Sequence, residues 1–551
     1  MEIIDVRNLT FKYSNGTEPV INKISFTVSE GDFVVLCGET GSGKSTLLRL
    51  LKKELNPNGE RTGEIYLDGK RILTDEDDKK EIDPVRIGFV MQNPKEQTVT
   101  DKVWHELAFG LENMGLNREV MAAKVAETAG YFGIEDWYEK NVNELSGGQL
   151  QLLNLASVMV MNPDILILDE PSAQLDPVSA SEFFATVQKL NMDFALTVII
   201  AEHRLEELVP MCNRLMVMEH GEIKAYGKPK EVIGNIEKND EVFDSLPAAY
   251  RLYSELGEKS NPDILPLTVR EGRMLVKQYT GFSEKTEVNS FQAKLPEKKA
   301  KREPALELDN VFFRFKRETP DVLKNLSLKV YSGEIFCILG GNGSGKTTAL
   351  NVSAGLLKPY SGSVKIFGKK IKEYKNGSLY NKCLSMLPQD VQTVFLYNTV
   401  KEEIENMKGS GKLEGFPYDI GKLADKHPYD LSGGEQQIAA LAKAYVTEPK
   451  ILLLDEPTKG LDAYRKREFS EMLKKLKEQG ITCIVVTHDV ELAAIIADRC
   501  AMFFRGEAVS VGEPHDFFSG NNYYTTLAVR LSRGICVPEI TVKELAEKIR
   551  K

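Results

Sequence analysis

The chain has 551 residues, 42% of them apolar and 28% charged, with a net charge of −10. That length exceeds one ordinary core and calls for about two to four domains, while the acidic balance argues against a surface built wholly for nucleic acid. No apolar run reaches the length of a membrane-spanning helix, since the longest candidates, such as residues 195–201, have only strand length. The start, Met1-Glu2-Ile3-Ile4-Asp5, lacks the basic-then-apolar pattern of a signal peptide, so a cytosolic protein is expected. Seven scattered cysteines without Cys-x-x-Cys spacing fit reduced thiols rather than a metal cluster.

In chain order, the apolar run Phe33-Val34-Val35-Leu36-Cys37 leads into Gly38-Glu39-Thr40-Gly41-Ser42-Gly43-Lys44-Ser45-Thr46, and a helical run follows from Leu47. This strand–loop–helix context fits the phosphate-binding pattern G-x-x-x-x-G-K-[ST]. Gly38, Gly41 and Gly43 let backbone N–H groups converge on phosphate oxygens, with Ser42 and Thr46 in the same cradle. Lys44 is placed to reach β- and γ-phosphates and Ser45 to ligate Mg²⁺. Further on, Ser146-Gly147-Gly148-Gln149 opens a helix, which makes an anion-binding N-terminus. Next, Ile165-Leu166-Ile167-Leu168 is the continuous apolar run of a parallel strand buried on both faces, and it ends in Asp169-Glu170. An acidic pair there lies where open α/β sheets bind ligands: Asp169 suits Mg²⁺, and Glu170 is placed to polarise an attacking water.

The sequence then repeats itself. Between residues 235 and 304 the pattern weakens, with short helices possible near Val242 and a connector at 283–304 that includes the basic run 298–302. The phosphate loop recurs as Gly340-Gly341-Asn342-Gly343-Ser344-Gly345-Lys346-Thr347-Thr348, 302 residues on (346 − 44). Ser432-Gly433-Gly434-Glu435 recurs 286 residues on (432 − 146), so the second half carries a net deletion between these motifs, which a loop or helical insertion absorbs best. Asp455-Glu456 ends the second acidic strand, giving Thr347 and Asp455 the same expected Mg²⁺ role and Glu456 the same water-polarising role. A final segment ending near Ile549 is expected to be helical.

The motifs Leu145-Ser146-Gly147-Gly148-Gln149 and Leu431-Ser432-Gly433-Gly434-Glu435 resemble the signature of ATP-binding-cassette proteins. The resemblance implies an α/β fold with two P-loop NTPase (ABC ATPase) domains, each with a RecA-like core, an antiparallel β subdomain and a helical subdomain. The expected bounds are 1–235 and 305–530, with a connector at 236–304 and a C-terminal helical segment at 531–551. It also implies two ATP molecules held head to tail, so that Lys44 shares one with the second signature and Lys346 one with the first. Tyr13 and Phe315 resemble the aromatic residues that stack on adenine, although the residues alone leave a core role open. Gln92 and Gln389 resemble the Q-loop glutamine that contacts Mg²⁺ and water, Asp176 and Asp462 the D-loop aspartate, and His203 and His488 the switch histidine.

The segment after Gln92, from Asn93-Pro94 through Trp104, Leu107 and Phe109, is similar to the ATPases of energy-coupling-factor (cobalt- and vitamin-type) importers. Residues 395–404 and Glu202-His203-Arg204 share that look. The resemblance implies a transmembrane coupling subunit and a substrate-capture membrane subunit as partners, no direct nucleic-acid contact, and a peripheral place on the cytoplasmic face of the membrane. It gives Trp104, Leu107 and Phe109 a partner-docking role, against the plainer alternative that they are core of the helical subdomain. A soluble tandem ATPase acting on ribosomes has the same duplicated layout. A DNA-repair ATPase fits less well, because no long heptad insertion separates phosphate loop and signature.

Overall fold

The computed structural model describes residues 1–71, 83–258, 261–280, 303–407 and 413–550, and the stretch 281–302 of the expected connector, with its basic run, lies outside them. Two compact units result: Met1–Ser254 with Lys259–Thr268, and Glu255–Glu258 with Val269–Lys551.

In the first unit, β1 (Glu2–Tyr13), β2 (Ile21–Ser29), β3 (Phe33–Gly38), β4 (Gly59–Leu67), β5 (Lys70–Arg71), β6 (Ile87–Val90), β7 (Ile165–Asp169), β8 (Thr197–Ala201), β9 (Arg214–Glu219) and β10 (Glu222–Gly227) form two sheets. One is antiparallel, ordered β2-β1-β4-β5; the other is ordered β10-β9-β3-β8-β7-β6 and parallel except for the β9–β10 hairpin. All residues of β3, β7 and β8 are buried, which is why these strands read as unbroken apolar runs. β2 instead alternates, as a strand with one solvated face does. Because β3 lies between β8 and β9, the loops leaving the carboxyl ends of β3, β7 and β8 meet at one edge of the sheet.

The second unit repeats this with β11 (Pro304–Phe313), β12 (Leu323–Tyr331), β13 (Ile335–Leu339), β14 (Ser361–Ile366), β15 (Lys369–Lys370), β16 (Leu384–Leu387), β17 (Ile451–Asp455), β18 (Thr482–Val486), β19 (Arg499–Phe504) and β20 (Glu507–Gly512). The orders are β12-β11-β14-β15 and β16-β17-β18-β13-β19-β20, and β12 has the same burial pattern as β2. Each half is therefore α/β, with an antiparallel sheet and a helical segment beside a mostly parallel core.

Most of the net deletion falls in the helical segment: the offset drops from 302 at the phosphate loops to 297 at Gln92 and Gln389 (389 − 92), and then to 286 at the signatures. The first half has helices Val103–Asn113, Arg118–Phe132 and Gly147–Met159 around a core that includes Leu107, Leu111, Val125 and Leu153. The second has Val400–Glu405, short turns and Gly433–Tyr445, with no counterpart of Arg118–Phe132 among the described residues. Leu107 is fully buried in that core, so its place is structural; Trp104, three residues earlier on the same helix, is 37% exposed.

Much of the region expected as connector is folded. A short turn covers Glu241–Ser245 and a helix covers Ala248–Glu255. The helix Val269–Thr280 packs in the second unit against Leu527–Ser532 and Val542–Arg550, where Arg273 Nη1 donates to the Arg530 carbonyl at 2.8 Å. All seven cysteines carry free thiols.

Candidate active sites

Each phosphate loop leaves its strand through glycines that no other residue replaces easily. Gly38 has φ +147°, and a Cβ there would lie 2.1 Å from the Met218 carbonyl oxygen; Gly340 has φ +152° and 2.5 Å to that of Phe503. Gly43 and Gly345, both at φ +98°, cap the helices Lys44–Leu50 and Lys346–Ala354. Gly41 and Gly343 have open space where a Cβ would stand, and Asn342 is exposed beside Gly343. Lys44 Nζ folds back to donate to the carbonyls of Gly38 (3.0 Å) and Glu39 (2.7 Å); Lys346 does the same to Gly340 (2.8 Å) and Gly341 (3.0 Å).

The donor set fits a triphosphate with a divalent cation. The hydroxyls of Ser42 and Ser344 are buried in the two loops without a hydrogen-bond partner, which is costly unless a ligand oxygen satisfies them. Ser45 Oγ donates to Asp169 Oδ1 at 2.8 Å, and Thr347 Oγ1 to Asp455 Oδ1 at 3.1 Å. Burial pushes both aspartates up to about 6 despite those hydroxyls, and a cation would relieve that desolvation. Tyr13 is half-buried with its hydroxyl 2.9 Å from Thr46 Oγ1, whereas Phe315 is 64% exposed and so is not a core aromatic. Thr348 is half-buried in its helix.

At the next loop the halves differ. Glu170 leaves β7 at φ +44° and takes two partners: Gln92 Nε2 donates to Oε2 at 2.8 Å, and His203 Nε2 lies 2.9 Å from Oε1. Glu456 has φ +48°, and His488 presents Nδ1 at 3.2 Å from Oε2, while Gln389 is exposed and makes no hydrogen bond to Glu456. Burial pushes Glu456 up, but His488, Lys459 and Lys346 outweigh it and hold the carboxyl below its ordinary value. Such a carboxylate, ionised at neutral pH and fixed beside an imidazole, can accept a proton from a bound water.

The signature residues shape helix starts. Ser146 Oγ accepts from Gln149 N–H at 3.3 Å and Gln149 Oε1 from Ser146 N–H at 3.0 Å, a reciprocal box that Ser432 and Glu435 repeat (3.4 and 2.9 Å). The Gln-to-Glu difference between the halves thus preserves the cap, and both side chains, expected at nucleotide, turn back on their own helix. Gly147 and Gly433 stay exposed at the helix tips, with Gly148 and Gly434 behind them. Asp176 and Asp462 cap the helices Pro177–Phe194 and Ala463–Glu478, accepting from Val178 and Ser179 N–H and from Arg465 N–H.

Sequence reasoning gave no role to Glu106 and Glu403, nearly fully buried acids 297 residues apart (403 − 106). Glu106 accepts from the N–H groups of Val99 and Thr100 and from Thr100 Oγ1; Glu403 accepts from Leu396 and Tyr397 N–H and pairs with Lys443 Nζ at 2.5 Å. These bonds fix the loops that follow Gln92 and Gln389. The signal was present as one acid recurring among apolar helix positions in both halves.

Beside His488, burial of Asp489 works against ionisation, but Lys466 Nζ at 2.6 Å outweighs it and the carboxyl falls to about 2. A carboxyl held below its unfolded value of about 3.9 adds stability above that pH, lost as pH falls through about 4 toward 2. Lys466→Met is therefore expected to raise the midpoint pH of acid unfolding, followed by circular dichroism.

The model of the family described as ABC transporter matches residues 21–173 and 323–459, more than half of the chain. A relative from Bacillus thuringiensis subsp. konkukian, named "Putative ABC transporter ATP-binding protein", is 37% identical over 538 residues, covering 96% of this chain and 95% of its own. The Bacillus subtilis protein named "Putative HMP/thiamine import ATP-binding protein YkoD" is 31% identical over 529 residues, covering 94% and 93%. A solved structure of cbiO1 from Clostridium perfringens, part of the ABC transporter complex cbiONQ, matches 42% of this chain and 91% of that one at 31% identity, with a TM-score of 0.38. Two matched regions, each with a phosphate loop and an acidic strand end, and relatives alike over nearly their whole length show that the chain belongs to the ABC transporter family as a two-cassette, ATP-binding ATPase.

Proposed function

We propose that the chain is the energy-coupling subunit of a membrane importer for a micronutrient: a vitamin, a vitamin precursor or a transition-metal ion. The observation that carries this reading is a pair of exposed apolar loops, one per half, each anchored by a buried acid in the segment that follows Gln92 or Gln389. Val99 is 65% and Leu396 79% exposed, Trp104 and Tyr397 are also exposed, and Glu106 and Glu403 hold the backbone of both loops. Exposed apolar side chains on a fixed loop favour a protein partner over solvent. No helix among the described residues is long and apolar enough to cross a membrane, so the partner in this reading supplies the spanning segments. The name of the Bacillus subtilis relative, a thiamine-type importer ATPase, points the same way.

In this reading Lys44 and Lys346 bind phosphates, and Tyr13 and Phe315 meet the adenine. A divalent cation would be held by Ser45 with Asp169 and by Thr347 with Asp455, near Gln92 and Gln389, and would offset phosphate charge. Glu170 and Glu456 orient and deprotonate the attacking water, and His203 and His488 hold those carboxylates and the γ-phosphate side of the site. The halves close head to tail, so that Ser146, Gly147 and Gly148 complete the second site and Ser432, Gly433 and Gly434 the first. Closure biased by ATP then moves the docked membrane subunit.

Pull-down from detergent extracts tests the partner class. A polytopic membrane protein is expected to co-purify with the wild-type chain and to be lost from Val99→Asp/Leu396→Asp. Co-sedimentation with ribosomes and no membrane partner would replace this reading with the translational one.

A further inference from the structure

In the first half, the residues on either side of His203 grip the loop that follows Glu170. Glu202, only 2% exposed, accepts from Ser172 N–H through Oε1 at 2.8 Å and from His203 N–H through Oε2 at 3.1 Å. Arg204 Nη2 donates to the Leu175 carbonyl at 2.9 Å. The turn between is closed by Leu175 N–H to the Ser172 carbonyl (3.0 Å), and Gln174 Nε2 reaches Asn93 Oδ1 at 3.3 Å. Residues 172–175 are thus held at both ends, with the left-handed Glu170 just before them and His203 between the two gripping side chains.

The second half is built otherwise. Thr487 and Asp489 flank His488, and Thr487 Oγ1 accepts from Asp489 N–H at 2.9 Å. The Asp489 carboxylate goes to Lys466 (2.6 Å) and to Leu492 N–H (3.0 Å), away from the turn after Glu456. Lys466 has Ala180 at its place in the first half by the repeat offset (466 − 286), so the two arrangements are not interchangeable. A fully enclosed carboxylate is costly to desolvate. Since the second half folds with a threonine at that position, the fold alone does not require Glu202.

We propose that Glu202 and Arg204 are positioning residues that fix Glu170 against His203 before nucleotide binds, so that the first site reaches its hydrolytic geometry with less rearrangement than the second and turns over faster. This rests on the assignment of Glu170 as the water-activating carboxylate. The Gln92–Glu170–His203 network is already closed in the first half, whereas in the second Gln389 makes no hydrogen bond to Glu456.

The test uses the full chain carrying Glu456→Gln, which leaves only the first glutamate, with Glu202→Thr, Arg204→Ala or Arg204→Lys added. For the first two, kcat is expected to fall about tenfold with KM for ATP within about twofold, as loss of preorganisation rather than of binding. Arg204→Lys, which still offers a donor to the Leu175 carbonyl, restores most of kcat. Amide exchange over residues 172–176 rises in Glu202→Thr and not over the matching loop 458–462. Unchanged kcat, a rise in KM alone, or unaltered exchange overturns the proposal. A Glu170→Gln chain as fast as wild type counts instead against the glutamate assignment, and the exchange comparison still decides the clamp.

Discussion

Replacing Glu170 and Glu456 together with glutamine is expected to lower steady-state ATP turnover by about a hundredfold or more, with ATP affinity preserved. The amide keeps the size and an acceptor oxygen for Gln92, whose Nε2 lies 2.8 Å from the Glu170 carboxylate, but it cannot take a proton. The lysines, both serines at Ser42 and Ser344, and the Ser45 and Thr347 hydroxyls stay in place, so nucleotide binding survives. Each single variant should lose the turnover of its own site. Full activity in either one refutes the assignment at that site. Phosphate release and fluorescent-nucleotide binding, measured on the same preparations, separate the two effects.

Gly38→Ala and Gly340→Ala are expected to cost about 2–4 kcal/mol of stability each and to abolish nucleotide binding in the affected half. Two effects add. Alanine rarely adopts φ +147° or +152°, and its Cβ would lie 2.1 or 2.5 Å from the carbonyl of Met218 or Phe503 on the adjacent strand. Relieving the overlap must move either the phosphate loop or the strand, and β3 and β13 are the centre of their sheets. Gly333→Ala is the control: φ is +74° but nothing stands within 4 Å, so only the backbone strain, about 1 kcal/mol, is expected. Differential scanning calorimetry beside ATP titration checks both.

The two-fold architecture was legible because each element carried a strong local pattern. Unbroken apolar strands such as residues 165–168 and 451–454 signalled burial on both faces, and the glycine spacing of the phosphate loops admits few other uses. Exposure was harder to read. Leu107 and Trp104 are equally apolar in sequence, yet one is core and the other is at the surface, which depends on how the helix Val103–Asn113 rotates against Gly147–Met159. The helix Val269–Thr280 was hidden by a polar composition, because its apolar stripe is short and is covered by partners far away in sequence, such as Leu527–Ser532. The partners of Glu202 and Arg204 were equally out of reach, since a carboxylate 30 residues from the N–H it accepts leaves no trace in spacing.

Nucleotide stoichiometry tests the central claim most directly. Equilibrium binding of ATP to the Glu170→Gln/Glu456→Gln chain is predicted to saturate at two molecules per chain, and at one when Lys44→Ala or Lys346→Ala is added. Saturation at a single molecule per chain before either lysine is changed would contradict an ATPase with two working cassettes.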